Sequence, residues 1–122
     1  MPINPTHAFV TLASEQFDQL VEFYHALLGL SPAPRLLNSY AEFQLSGLRL
    51  GIFKPKADHQ DEFAGAGGGM SVCLEVEDLE SAIATLTQIG YPPSGEITQA
   101  SHGREIYAYD PDGNRLILHQ ST

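Results

Sequence analysis

Cysteine is all but missing from the 122-residue sequence. Cys73 stands alone, which excludes an intrachain disulfide and makes a reducing, cytoplasmic setting the expected one. Basic residues are scarce: six Lys and Arg face fifteen Asp and Glu, for a net charge of -9. Such a surface repels a phosphate backbone, so nucleic acid is not an expected partner, and the acidity serves solubility first. No apolar run is long enough to span a bilayer, and Met1-Pro2-Ile3-Asn4 lacks the basic-then-apolar pattern of a secretory leader, so no membrane association is expected. Zinc-binding cysteine pairs and a Ser/His/Asp motif are also absent. Gly67-Gly68-Gly69 lacks the Lys and Ser/Thr of a nucleotide-binding loop and reads as linker.

With 43% hydrophobic and 17% charged residues, the chain can bury a core, and its length suits a single domain over residues 1–122. Its strongest local signal is Asp110-Pro111-Asp112-Gly113-Asn114 between two strand-forming runs. Proline fixes φ at the start of the turn, glycine accepts φ > 0, and Asp and Asn bond turn backbone. Upstream, Phe9 to Ala13 reads as a strand, with Ser14 as the helix cap. Phe17, Leu20, Val21, Tyr24, Leu27 and Leu28 form one apolar face of a helix spanning Glu15 to Leu28, stopped by Gly29. Strands follow near Arg35 to Asn38, at Tyr40 to Leu45 and at Leu48 to Phe53, the last two joined across Ser46-Gly47. Residues 55–69 show no period and read as a glycine-rich flexible linker or lid.

The same order then begins again. Ser71 to Val76 is a strand, Asp78 a helix cap, and Leu79, Ala82, Ile83, Leu86 and Ile89 the apolar face of a helix over Asp78 to Ile89 that Gly90 stops. Strands are expected at Glu96 to Thr98, Arg104 to Tyr109 and Asn114 to His119. Val10-Thr11-Leu12 aligns with Val72-Cys73-Leu74, and Gly47-Leu48-Arg49-Leu50 with Gly113-Asn114-Arg115-Leu116. The chain is a duplicated βαβββ unit, module one over 5–54 and module two over 70–120, of the α+β class.

Phe23-Tyr24-x-x-Leu27-Leu28-Gly29-Leu30, followed by Gly103-Arg104-Glu105 and then Asp110-Pro111-Asp112-Gly113-Asn114, resembles the vicinal oxygen chelate superfamily. That group includes glyoxalases, bleomycin-resistance proteins and extradiol dioxygenases. The resemblance covers nearly the whole chain and implies two modules whose sheets curl into a cup that holds a ligand or metal. It also implies a symmetric homodimer. In bleomycin-binding members a tryptophan precedes the Gly-Arg pair; here His102 stands there, and the chain has no tryptophan.

Strand alternation then sorts the side chains. Val10, Leu12, Leu48, Leu50, Ile52, Val72, Leu74, Ile106, Ala108, Leu116 and Leu118 suit the helix-packed face. The opposite face receives Phe9, Thr11, Arg49 and Phe53 from module one. Module two contributes Ser71, Cys73, Glu75, Glu105, Tyr107, Tyr109, Arg115 and Ile117. Aromatic walls with a few charged groups suit a small organic molecule. Glu75 and Glu105 are expected to pair with Arg49, Arg104 or Arg115, and Cys73 to be a buried, inert thiol.

The resemblance implies a metal held at four positions, which fall on Phe9, Gly51, Ser71 and Ile117. None offers a strong donor, whereas a divalent ion needs at least three, so no metal cofactor is expected there and catalysis of the superfamily's metal-dependent kind is not. The expected function is metal-independent binding of a small organic molecule. The alternative is a lyase, isomerase or dioxygenase with a displaced metal site, for which His7 and His119 are candidates beside Glu75 and Glu105. His102 reads as a solvated loop side chain, and His25 and His59 have no partner in sequence.

Overall fold

The computed structural model describes residues 2–65 and 68–122; Ala66 and Gly67 of the linker, the latter opening its triple glycine, and Met1 lie outside the described residues. The chain divides into two compact units, Met1–Phe63 and Ala64–Thr122. In the first, β1 (Val10–Ala13), α1 (Phe17–Leu28), β2 (Arg35–Leu36), β3 (Tyr40–Leu45) and β4 (Leu48–Phe53) are followed by a 3-10 turn, Ala57–His59, and the short α2 (Gln60–Phe63). In the second, β5 (Val72–Glu75), α3 (Leu79–Gln88), β6 (Thr98–Ala100), β7 (Gly103–Tyr109) and β8 (Arg115–Ser121) repeat the pattern. The sheet orders β1-β4-β3-β2 and β5-β8-β7-β6 are the same walk taken twice, each with one parallel pair and two antiparallel ones. The fold is α+β with two four-stranded mixed sheets.

Each unit builds its own core from the alternation that the sequence shows. Leu20, Val21 and Tyr24 of α1 are fully buried with Ala41, Phe43, Leu50 and Ile52 of the first sheet. Leu79 and Leu86 of α3 are buried with Ala108, Leu116 and Leu118 of the second. Burial of this kind stabilises by about 25 cal/mol per Å² of apolar surface and is why strand register is strongly specified.

The helix ends show what the sequence encodes and what it does not. Asp78 Oδ1 accepts from the Ser81 amide at 3.0 Å, a side-chain cap for α3. Gly29, at φ 67, closes α1 with its N–H on the His25 carbonyl. Ser14, expected to cap α1, instead accepts from the Gln16 amide at 3.0 Å, and the helix starts at Phe17 rather than Glu15. Its short side chain satisfies the turn before the helix, so the orphan amides of the first turn get no side-chain cap.

Three further expectations are corrected. The weak strand near Arg35 to Asn38 ends at Leu36, because Asn38 turns the chain at φ 54. The strand expected at Glu96 to Thr98 lies at Thr98–Ala100, where pairing with Gly103 to Glu105 sets its bounds. The linker is not without structure: Phe63 of α2 packs edge-on against Phe53, with ring centroids 5.0 Å apart.

The turn after β7 is built as its residues require. Asp110 is only 3% exposed; its Oδ1 accepts from the Asp112 and Asn114 amides at 2.9 Å each, and its Oδ2 from the Asn114 side-chain amide at 2.8 Å. Gly113 supplies the positive φ of 85.

Candidate functional site

In the first unit the candidate site face is the one expected to carry Phe9, Thr11, Arg49, Gly51 and Phe53. Antiparallel pairing of β3 with β4 sets Gln44 opposite Arg49, Glu42 opposite Gly51 and Tyr40 opposite Phe53, so three β3 side chains join that face. The Tyr40 hydroxyl donates to Glu42 Oε2 at 2.5 Å, and Gln44 Nε2 donates to Glu42 Oε1 at 2.6 Å. Arg49 Nη1 stands 3.8 Å from Glu42 Oε1, and its guanidinium lies 4.8 Å from the centre of the Phe9 ring. Tyr40, Glu42 and Gln44 are not among the residues expected there from the sequence. The signal was available, because the Ser46-Gly47 hairpin fixes which residues face one another.

This network holds a nearly buried carboxylate in its charged form. Hydrogen bonds from Tyr40 and then Gln44 depress the Glu42 pKa below its ordinary 4.5, and Arg49 adds to the effect. Burial, with Glu42 beside it, pushes the Tyr40 hydroxyl up to about 12, so it stays a donor. A depressed carboxylate contributes stability that is present above its unfolded-state pKa and is lost as the pH falls through the folded value. Glu42→Gln is therefore expected to destabilise the protein more at neutral pH than at a pH below the ordinary carboxylate 4.5, the difference from the parent shrinking as the folded carboxylate protonates. Urea denaturation at the two pH values measures this, and an equal difference at both would contradict it.

The second unit carries its candidate site face on β5, β7 and β8. The register sets Cys73 beside Ile117, Glu75 beside His119, Glu105 opposite His119, Tyr107 opposite Ile117 and Tyr109 opposite Arg115. Tyr107 and Tyr109 are 51% and 44% exposed. Arg115 Nε donates to the Ser71 hydroxyl at 2.7 Å and its Nη2 to the Gly68 carbonyl at 2.6 Å. Arg104 forms a two-pronged pair with Glu80, at 2.6 and 2.9 Å, which lowers the Glu80 pKa to about 2. The expected pairing of Glu75 and Glu105 with arginines is thus overturned, because Arg49 is taken by Glu42, Arg104 by Glu80, and Arg115 by Ser71 and a carbonyl.

Glu75 instead binds His119, with Oε1 2.7 Å from Nδ1, while its Oε2 accepts from the Ser121 amide and hydroxyl at 2.8 Å each. These bonds, His119 first and Ser121 next, depress the Glu75 pKa. His102 is not a solitary loop residue: its ring stacks on that of His119 at 4.9 Å and 16°. The two-residue turn between Ala100 and Gly103 puts it there, since those two residues pair across the hairpin. Cys73, expected to be buried, is exposed. Partial desolvation and the neighbouring Glu105 and Glu75 carboxylates push its thiol pKa up, which leaves it a weak nucleophile.

The four positions at which the resemblance implied a metal are engaged by the protein itself or lack a donor. Phe9 lies against the Arg49 guanidinium, and the Ser71 hydroxyl is taken by Arg115. A Cβ at Gly51 would come within 2.7 Å of the Tyr40 hydroxyl, so the space that a longer side chain needs there is occupied. Ile117 offers only hydrocarbon. A metal does not fit these residues. A shallow polar groove at the start of α1, lined by Glu15, Phe17, Asn38 and Lys54 among others, shares no lining residue with the site faces.

Comparison with known proteins places this geometry. Residues 6–118 match the model of the Glyoxalase/Bleomycin resistance protein/Dioxygenase superfamily. A glyoxalase/bleomycin resistance protein from Catenulispora acidiphila DSM 44928 is similar in structure at 24% identity and TM-score 0.71, over 94% of this chain and 97% of that one. A protein from Agrobacterium tumefaciens, solved by solution NMR, gives 24% identity and TM-score 0.77 over 97% and 99% of the two chains. The lactoylglutathione lyase of Agrobacterium tumefaciens gives 17% and 0.70 over 96% and 95%. At these identities the likeness establishes the fold. No curated protein is similar to the chain in sequence.

Proposed function

Because the chain belongs to the glyoxalase/bleomycin resistance protein/dioxygenase superfamily, we propose that it binds a small organic molecule on the site faces of its sheets, without a metal at the four usual positions. The observation that carries this reading is the set of large aromatics left in water beside anchored charges. Phe9, Tyr107 and Tyr109 are all more than two-fifths exposed, and Arg49 is fixed above Phe9 by Glu42. A ring face beside a guanidinium suits a flat or amphipathic ligand, the ring giving area and the cation orientation. Among the described residues no helix is long and apolar enough to cross a membrane.

The test is a screen of planar aromatic acids and amphipathic heterocycles by thermal shift, run in excess chelator. A ligand at a hundred times its Kd stabilises the folded state by about 2.7 kcal/mol, a Tm rise of several degrees. Arg49→Ala and Tyr107→Ala are expected to weaken binding tenfold or more. Ligand binding that appears only when a divalent ion is supplied would overturn the reading. A symmetric homodimer in a reducing, cytoplasmic compartment belongs to the same proposal, supported by the resemblance and by the lone Cys73. Light scattering should then return twice the 13.3 kDa chain mass, and a mass of one chain would exclude the dimer.

The competing reading, a lyase, isomerase or dioxygenase acting at a displaced metal, draws on one observation: His119 clusters with His102 and Glu105. His7, the other candidate for a displaced site, is not part of that cluster.

A further inference from the structure

We propose that His102, Glu105 and His119 form a site for one divalent transition-metal ion of the zinc, cobalt, nickel or ferrous class, with Glu75 as the positioning residue for His119. The site lies wholly within the second unit, apart from the four usual positions, and does not rest on the ligand reading above.

Register builds the cluster. Glu105 and His119 face one another across β7 and β8, and the β6–β7 turn brings His102 onto His119. One donor atom from each of the three residues lies within 4.8 Å of the other two. Three donors bonded to one ion at about 2.1 Å stand about 3.5 Å apart, so closure needs a shift of about an ångström and a turn of the His102 ring out of its stack on His119. His102, exposed on a turn, is the group free to make it.

The second observation concerns the protons. A carboxylate only accepts hydrogen bonds, so the 2.7 Å contact with Glu75 requires His119 Nδ1 to carry the proton. In the neutral ring that leaves a lone pair on Nε2, in a side chain only 12% exposed, and Nε2 is buried with no hydrogen-bond partner among the described residues. A buried acceptor without a partner calls for an explanation, and a metal ion supplies one. A histidine whose other nitrogen donates to a carboxylate is the usual form of a metal-ligating imidazole, since the contact fixes tautomer and orientation and raises donor strength. Glu75 is itself held by the Ser121 amide and hydroxyl. Gly103 keeps the approach open, for a Cβ there would lie 3.0 Å from His119 Nε2.

Two imidazole nitrogens and one carboxylate select borderline transition metals over magnesium or calcium, which favour all-oxygen shells. Three protein donors also leave coordination positions for water or a small molecule.

The test is calorimetric titration of Zn²⁺ into the untagged, chelator-treated full chain, with Co²⁺ absorption as a spectroscopic check. One ion per chain is expected, with visible Co²⁺ bands. His102→Ala and Glu105→Gln, both at accessible positions, should weaken binding at least tenfold while circular dichroism shows the fold intact. Glu75→Gln should weaken it ten- to a hundredfold and keep the stoichiometry, and His59→Ala should leave it unchanged. Absence of stoichiometric binding, binding that survives both His102→Ala and Glu105→Gln, or binding lost in His7→Ala would each overturn the proposal. A metal-free chain that still binds planar ligands would leave the ligand reading standing even then.

Discussion

Gly103→Ala is expected to lower the unfolding free energy by roughly 3–5 kcal/mol, a large share of the 5–15 kcal/mol typical of a single domain. Two costs add. Gly103 sits at φ 148, a region that L side chains rarely adopt, and a Cβ there would stand 2.2 Å from the Gln120 carbonyl oxygen and 3.0 Å from His119 Nε2. The oxygen belongs to β8 backbone in the strand pair that carries the site face, so relief requires β7 and β8 to part at that end. Gly113→Ala separates the two costs. It also has a positive φ, 85, but no atom stands within 4 Å of its added Cβ, so it should lose only about 1–2 kcal/mol. Urea unfolding of both variants measures the difference, and equal losses would mean that the close approach of β7 to β8 is not as described.

Asp110→Ala should cost about 2–4 kcal/mol. The side chain accepts three hydrogen bonds from Asp112 and Asn114 while almost wholly buried, and its removal leaves two backbone amides in a tight turn without their acceptor. The turn sets the register between β7 and β8, so the loss should be felt in the strands as well as in the loop. Asp112 is exposed and contributes only its amide to this cluster, so Asp112→Ala should change stability by no more than about 0.5 kcal/mol. Hydrogen exchange across β8 checks the first expectation. Comparable losses in the two variants would contradict the assignment of Asp110 as the acceptor that organises the turn.

These two residues also mark what the sequence made legible. Asp110 and Gly113 act through bonds a few residues long, and turn chemistry is local, so both could be read directly. The caps at Asp78 and Gly29 and the alternation on β4 and β8 belong to the same class. Duplication helped, since each half of the chain supported the reading of the other. What was not legible was which side chains become partners across strands. Glu75 and His119 are 44 residues apart, Arg104 and Glu80 are 24 apart, and the arginines were free in sequence to choose any of fifteen carboxylates. Register across β5 and β8 brought Glu75 to His119, and the start of α3 brought Glu80 to Arg104 of β7; no local pattern announces either. Glu42 joins the candidate site face of the first unit only through the β3–β4 pairing that sets it opposite Gly51. His102 was hidden by its turn, where a solvated side chain is the ordinary expectation and only the Ala100–Gly103 pairing brings it to His119.

That Phe9, Gly51, Ser71 and Ile117 offer no strong donor is visible in the sequence. The structure adds that Tyr40, Arg49 and Arg115 occupy or engage three of those places. Any metal this protein takes is therefore expected to sit elsewhere than at the superfamily's usual positions. Anomalous diffraction at the zinc absorption edge, from crystals equilibrated with Zn²⁺, tests it most directly. One protein-bound peak is expected, within bonding distance of His102, Glu105 and His119, with no density between Ser71 and Ile117 or beside Gly51. A peak at Ser71, Ile117 or Gly51 would contradict it.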